Sequence, residues 1–225
     1  TMGGSNAFQR LIADSAKGSQ GIVNLALAPE PGSTPVGTTF SDIFANFSAA
    51  ATLDSNQLGL GFSNLDLAFG CSTTICRVQY SGFNDTWSEM ARSGVQEIEG
   101  WGIRAYRYTG GTGAQLSIRV QPSESGFMGS LLQRDSSTGT WSITNMVVDP
   151  TSSDLLGLVQ SFGGDVDDVW VIVRFESSIG DCDYAYASCG PLPPEGYPTA
   201  SMEVFAQLIT DPTEISISES IPFDR

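Results

Sequence analysis

The sequence predicts a mainly β protein, a jelly-roll-like β-sandwich preceded by a short helical N-terminal unit. From about Leu58 onward apolar residues alternate with a period of two, and Gly-rich links separate the alternating runs. Apolar spacing of three and four residues, the mark of a helix face, is confined to the first quarter. The expected division is therefore a helical unit over 1–57 and a β domain over 58–225.

In the first unit, Ser5 to Lys17 and Gln20 to Ala28 read as helices, with Phe8, Leu11, Ile12, Ile22, Leu25 and Leu27 as their apolar side. The run Pro29-Glu-Pro-Gly-Ser-Thr-Pro35 breaks the pattern. Thr39 to Leu53 is the clearest helix, with Phe40, Ile43, Phe44, Phe47, Ala50 and Ala51 on one face. Thr39 followed by Asp42 is a capping arrangement, and a carboxylate in the first turn also suits the helix dipole. The apolar face of this helix must pack on something, either the β domain or a partner.

The strand candidates are Leu58 to Phe62, Arg77 to Tyr80, Ile103 to Tyr108, Ala114 to Val120, Ser130 to Arg134, Trp141 to Val148, Leu156 to Phe162, Val169 to Phe175, Ser201 to Leu208 and Glu214 to Ser218. Thr109-Gly-Gly-Thr-Gly113 and Asp135-Ser-Ser-Thr-Gly139 carry hairpin turn chemistry, so each is expected to join two paired strands. No helical pattern separates the strands after Leu53, which excludes an α/β architecture.

Composition narrows the function. The 225 residues hold 25 acidic and 10 basic side chains and no histidine, for a net charge of −15. Such a chain repels phosphate backbones and anionic lipids, so neither nucleic-acid binding nor membrane insertion is expected. The missing histidine removes His-based acid–base catalysis, Ser-His-Asp chemistry and histidine-ligated zinc. Carboxylate-pair hydrolysis survives in principle, yet nothing in the spacing of Glu97, Glu99, Glu124 and Glu176 singles out a pair. No catalysis is expected. No apolar run approaches the roughly 20 residues of a membrane span. Thr1-Met-Gly-Gly4 has neither the charged start nor the apolar stretch of a signal peptide, so the expectation is a processed or engineered terminus, or a cleavage fragment.

The cysteines form two short pairs, Cys71 with Cys76 and Cys182 with Cys189, and neither has Cys-x-x-Cys spacing. Two local disulfides are the favoured reading and free buried thiols the alternative. Disulfides and processing together place the chain outside the cytosol. Asn46-Phe-Ser48 and Asn84-Asp-Thr86 are glycosylation sequons, a triplet that also arises by chance. Gly163-Gly-Asp-Val-Asp-Asp168 is the best calcium candidate, with Asp165 and Asp167 expected on one side of a loop and Asp168 adding a third carboxylate. An ordinary acidic turn before a strand is the plainer alternative. The Pro-rich stretch from about 178 to 199 reads as a long loop, and Tyr184, Tyr186 and Tyr197 within it are candidates for sugar stacking.

Gly4-Ser-Asn-Ala-Phe-Gln-Arg-Leu-Ile-Ala-Asp14, Ile22 to Leu27 and the Thr39 to Leu53 helix together resemble the region after the active site in secreted zinc metalloproteases of the hyicolysin-like type. Arg104 to Gly111, Ala114 to Val120 and Asp168 to Arg174 resemble the sandwich domains that follow such catalytic units. The resemblance implies a non-catalytic C-terminal portion of such a protease. The His-Glu-x-x-His helix is absent, so no metal ligand or catalytic base carries over.

The sequence thus points to an extracellular structural or surface-attachment protein that self-associates as an oligomer or polymer. Calcium is its candidate cofactor, and a cell surface or polysaccharide is its candidate partner. An accessory protease module and a carbohydrate-binding module are the alternatives.

Overall fold

The computed structural model describes residues 18–27, 38–53, 77–80, 91–100, 102–176 and 199–209, and every structural statement below concerns those residues. Two helices come first, α1 (Gly18–Leu27) and α2 (Phe40–Leu53). Eleven strands follow: β1 (Arg77–Tyr80), β2 (Ala91–Arg92), β3 (Gln96–Glu99), β4 (Ile103–Thr109), β5 (Ala114–Pro122), β6 (Phe127–Asp135), β7 (Trp141–Asn145), β8 (Val147–Val148), β9 (Leu155–Phe162), β10 (Val166–Phe175) and β11 (Thr199–Ile209). The protein is mainly β, with short helices on its N-terminal side, as the periodicity predicts.

The strands run in one continuous hydrogen-bonded path that folds into two halves. The first half is ordered β1-β4-β10-β6-β7 and the second β8-β9-β5-β11, with β2 and β3 sharing the free edge of β11. The halves join through one bridge, Val166 opposite Phe162. Between them lies the main core, in which Tyr106 and Tyr108 of β4, Leu131 of β6 and Val169, Val171 and Val173 of β10 meet Leu116, Ile118 and Val120 of β5, Val159 of β9 and Val204 of β11. Alternation explains this placement, because successive strand residues point to opposite faces. Along β5 the odd-numbered neighbours Gln115, Ser117, Arg119 and Gln121 accordingly face outward, while Leu116, Ile118 and Val120 are buried.

The Asp135–Gly139 turn joins two paired strands, with Leu132 opposite Ile143. The Thr109–Gly113 link does not. Here β4 pairs with β1 and β10 while β5 pairs with β9 and β11, so the link crosses from one half to the other. The reason is local: Gly111 lies so close to the β9–β10 connection that an added Cβ would sit 2.4 Å from the Phe162 carbonyl oxygen. One at Gly163 would sit 1.9 Å from the Gly111 backbone. Two glycine-built crossovers therefore touch backbone to backbone, a function of glycine separate from hairpin formation. The sequence also missed β2 and β3, which are short and carry Arg92, Glu97 and Glu99.

Helix α2 begins as its capping residues require. The Asp42 amide donates to Thr39 Oγ1 at 3.1 Å and the Thr39 amide donates to Asp42 Oδ2 at 3.0 Å. The Thr39 hydroxyl is the leading cause that holds the Asp42 carboxyl below its usual range. The helix lies on the outer face of the first half, where Ala49 and Leu53 meet Ala105, Leu132, Trp170 and Ile172. Of the expected face Phe40, Ile43, Phe44, Phe47, Ala50 and Ala51, Ile43 and Ala50 are buried, and Ser48, Ala49 and Thr52 are buried with them while the phenylalanines are only half-buried. Small side chains face the sheet because Trp170 and Leu132 already fill the space. Ser48 and Thr52 tolerate burial because each hydroxyl donates to the carbonyl four residues back, at 2.6 and 2.8 Å. Ile43 packs instead with Ala26, Ile22 and Val23 of α1.

Candidate functional site

The outward row of β7 consists of Trp141, Ile143 and Asn145, set opposite Arg134, Leu132 and Ser130 of β6. Because α2 crosses the same face, a groove of about 150 Å³ opens between the two, lined by Asp42, Ala45 and Asn46 on the helix and Ile143 and Asn145 on the strand.

A chain of buried polar side chains supports this groove from below. Arg174 of β10, 4% exposed, donates from Nη1 to Ser130 Oγ at 2.9 Å. Ser130, fully buried, donates in turn to Asn145 Oδ1 at 3.1 Å. Arg174 also lies 3.5 Å from Glu176 Oε1, which accepts a 2.9 Å hydrogen bond from Ser41 at the start of α2. Burial pushes the Arg174 guanidinium below its usual range, and its Nε has no hydrogen-bond partner. Removing such a charge from water costs several kcal/mol in general, so its partners are structurally demanding. Sequence reasoning missed this chain, since residues 41, 130, 145 and 174 come from four separate elements. The available signal was Arg174 itself, a lone charge inside the otherwise apolar run Val169–Phe175.

The acidic loop is not gathered as the calcium expectation required. Asp165 sits exposed in the turn before β10, and its carbonyl accepts from the Ser136 amide. Asp167 faces Arg134 at 3.5 Å, with both side chains about two-fifths exposed. Asp168 is buried on the outer face and takes a two-pronged interaction from Arg107, at 3.0 Å from Nε and 2.6 Å from Nη2. That hydrogen bond raises the Arg107 pKa, and the guanidinium also lies 5.5 Å from the Trp170 ring centre. The physical reason is that β10 begins at Val166, so two of the three carboxylates are strand residues claimed by arginines on different neighbours. Among the described residues no group of three His, Cys, Asp or Glu side chains is placed to hold a metal ion.

Asn46 lies on α2, half-buried, beside the groove. Asn84, the four cysteines Cys71, Cys76, Cys182 and Cys189, the loop tyrosines, the helix expected over Ser5 to Lys17 and the strands expected over Leu58 to Phe62 and Glu214 to Ser218 lie outside the described residues.

Among the described residues no helix lies on the outer face of the second half. Across it run Val147 opposite Leu156, Leu156 opposite Arg119, and Arg119 opposite Phe205. A parallel row sets Leu158 opposite Ser117 and Ser117 opposite Gln207. Val147 is 68% exposed and Leu158 39%. Two ion pairs lie on this face: Arg119 pairs with Asp154, and Arg92 pairs with Glu203 while covering the Phe205 ring at 5.0 Å. Glu97 and Glu99 stand at the far edge, on β3. Among the described residues no helix is long and apolar enough to cross a membrane.

No protein-family model matches the chain, and no curated protein sequence does. Among solved structures, the chain is similar to Salmonella Typhimurium PliG, a periplasmic inhibitor of g-type lysozyme, with 11% identity, 60% of this chain and 100% of that one covered, and a TM-score of 0.34. Aeromonas hydrophila PliG gives 8% identity, coverage of 60% and 96%, and a TM-score of 0.35. The Yersinia pseudotuberculosis-derived mitogen gives 14% identity, coverage of 55% and 88%, and a TM-score of 0.31. Likenesses at this level carry no argument about partner or activity, and the functional reading rests on the chain's own residues.

Proposed function

We propose that this chain is an extracellular structural or surface-attachment protein without catalysis of its own, and that it self-associates through the outer face of its second half. One observation carries the reading: a chain of net charge −15 presents a sheet face on which Arg119 pairs with Asp154 and Arg92 with Glu203, and on which Val147 and Leu158 stand exposed. Copies of so acidic a chain repel each other through most orientations. A face on which Arg119 neutralises Asp154 and Arg92 neutralises Glu203 admits a second copy at less of that cost, and Val147, Leu156 and Leu158 supply apolar area to bury. Fully burying a Val or Leu side chain contributes about 1.5–3 kcal/mol. Because β8 is a two-residue edge strand, edge pairing beside this face is also open.

The test is the mass of the purified chain by sedimentation equilibrium, with Leu158→Glu as the variant. Self-association that strengthens with added salt is expected, because salt screens the repulsion between acidic copies. Leu158→Glu is expected to weaken it by about tenfold or more, equivalent to about 1.4 kcal/mol or more. A monomer under all salt conditions contradicts the reading.

A further inference from the structure

We propose that the groove between α2 and β7 is a binding subsite for one neutral sugar residue, held by the Asn145 amide, the Asp42 carboxylate and the apolar surface of Ile143. The residues are of the right chemical kinds. A sugar ring offers vicinal hydroxyls that both donate and accept, together with an apolar C–H face. Asn145 and Asp42 supply a donor and an acceptor from opposite walls, and Ile143 supplies an apolar patch on the same wall as Asn145.

The polarity of Asn145 is fixed from within. Arg174 Nη1 can only donate, so Ser130 Oγ accepts from it and turns its own proton to Asn145 Oδ1. The Asn145 Nδ2 group is thereby left as the donor at the groove, with its orientation held by two buried side chains. Asp42 is fixed as firmly: its Oδ2 accepts from the Thr38 amide, the Thr38 hydroxyl and the Thr39 amide, at 3.2, 3.0 and 3.0 Å, which leaves Oδ1 for a ligand hydroxyl. A buried arginine whose effect is to orient a surface asparagine is costly for a plain surface and expected under a binding residue, whose rotamer a second layer of contacts must hold. A groove of about 150 Å³ falls well below the roughly 300–1,000 Å³ of drug-sized pockets, which limits the occupant to one ring of a longer chain. The charge balance agrees, since anionic sugars are disfavoured beside Asp42 in a chain of net charge −15.

The site is independent of the self-association face, which lies on the other half of the sandwich. The test titrates the purified protein with the methyl glycosides of glucose, galactose, mannose and N-acetylglucosamine, and with the β-1,4-linked tetramers of glucose and N-acetylglucosamine. Amide chemical shifts and tryptophan fluorescence are followed, with Trp141 as the neighbouring reporter. Millimolar binding of at least one probe is expected, with shifts centred on Asn145, Ile143 and Asp42. Asn145→Leu is expected to weaken binding about tenfold or more, the scale of one lost directional hydrogen-bond partner. Ser130→Ala, which keeps Asn145 but frees its orientation, is expected to weaken it several-fold, and Leu158→Glu on the opposite face to leave it unchanged. Thermal unfolding of each variant confirms that it folds. Silence toward every probe at concentrations of about 10 mM, or binding that survives Asn145→Leu in a folded variant, overturns the proposal. So do shifts centred on other residues.

Discussion

Replacing Gly163 with alanine places a methyl group where the backbone of Gly111 already lies. The added Cβ would fall 1.9 Å from both the carbonyl carbon and the oxygen of Gly111, and both of these are main chain, with no flexible end to move aside. Gly163 also has φ +85°, where an alanine is strained. Gly113 separates the two effects, because it shares φ +85° and has nothing within 4 Å of its added Cβ. Left-handed strain costs about 1–2 kcal/mol. Overpacking adds about 1–3 kcal/mol to the roughly 1 kcal/mol of strain that remains once the stiffer unfolded chain is counted, so Gly163→Ala is expected to lose about 2–4 kcal/mol. Gly113→Ala is expected to lose about 1 kcal/mol, since the stiffer unfolded chain returns part of the strain. In a chain of this size each kcal/mol moves the melting temperature by about 2–4 °C. The assay is urea unfolding of both variants beside wild type, with thermal melting as a second measure. Equal losses at the two positions, or a larger loss at Gly113, would refute the reasoning that the two crossovers touch.

The Arg107–Asp168 pair gives a second test. Arg107→Ala strands a carboxylate that is 4% exposed and is expected to cost about 2–4 kcal/mol, while Arg107→Leu with Asp168→Leu recovers most of that loss in the same unfolding assay. Asp135, in the β6–β7 turn, accepts from the Ser137 and Thr138 hydroxyls and from both their amides, and its carboxyl is held down to about 2. Because this folded value lies below the ordinary value of 3.8, its stabilisation is present above that value and is lost as the pH falls toward about 2. Carbon-detected titration of Asp135 is expected to show the depression, and Ser137→Ala to move the value upward.

The strands were legible because alternation is a local property. The positions of β4, β5 and β11 follow, to within two residues at each end, from runs in which every second residue is apolar, and the α2 capping pair follows from Thr39 and Asp42 alone. What the sequence did not show is whatever depends on distant backbone. The Thr109–Gly113 link has the turn residues of a hairpin, yet Phe162 and Gly163, some fifty residues on, determine that it crosses between halves. The inward face of α2 departs from its pattern for a related reason: large side chains already fill the sheet beneath, so Ser48, Ala49 and Thr52 face inward in place of the phenylalanines. The acidic run 165–168 reads as one cluster because spacing along the chain says nothing about Arg107 and Arg134, which draw its carboxylates apart. Arg174 and Asn145 become a pair only through Ser130 on a third strand.

Light-scattering mass over a concentration series, at low and at moderate salt, with wild type beside Leu158→Glu, tests the central claim most directly. The expected result is a mass that rises above that of one chain as concentration and salt increase, together with a Leu158→Glu variant that stays nearer to a single chain. A wild-type mass fixed at one chain from about 1 to 100 μM, a range that detects any association of micromolar strength, would contradict the account. Self-association unchanged by Leu158→Glu would contradict the assignment of the face.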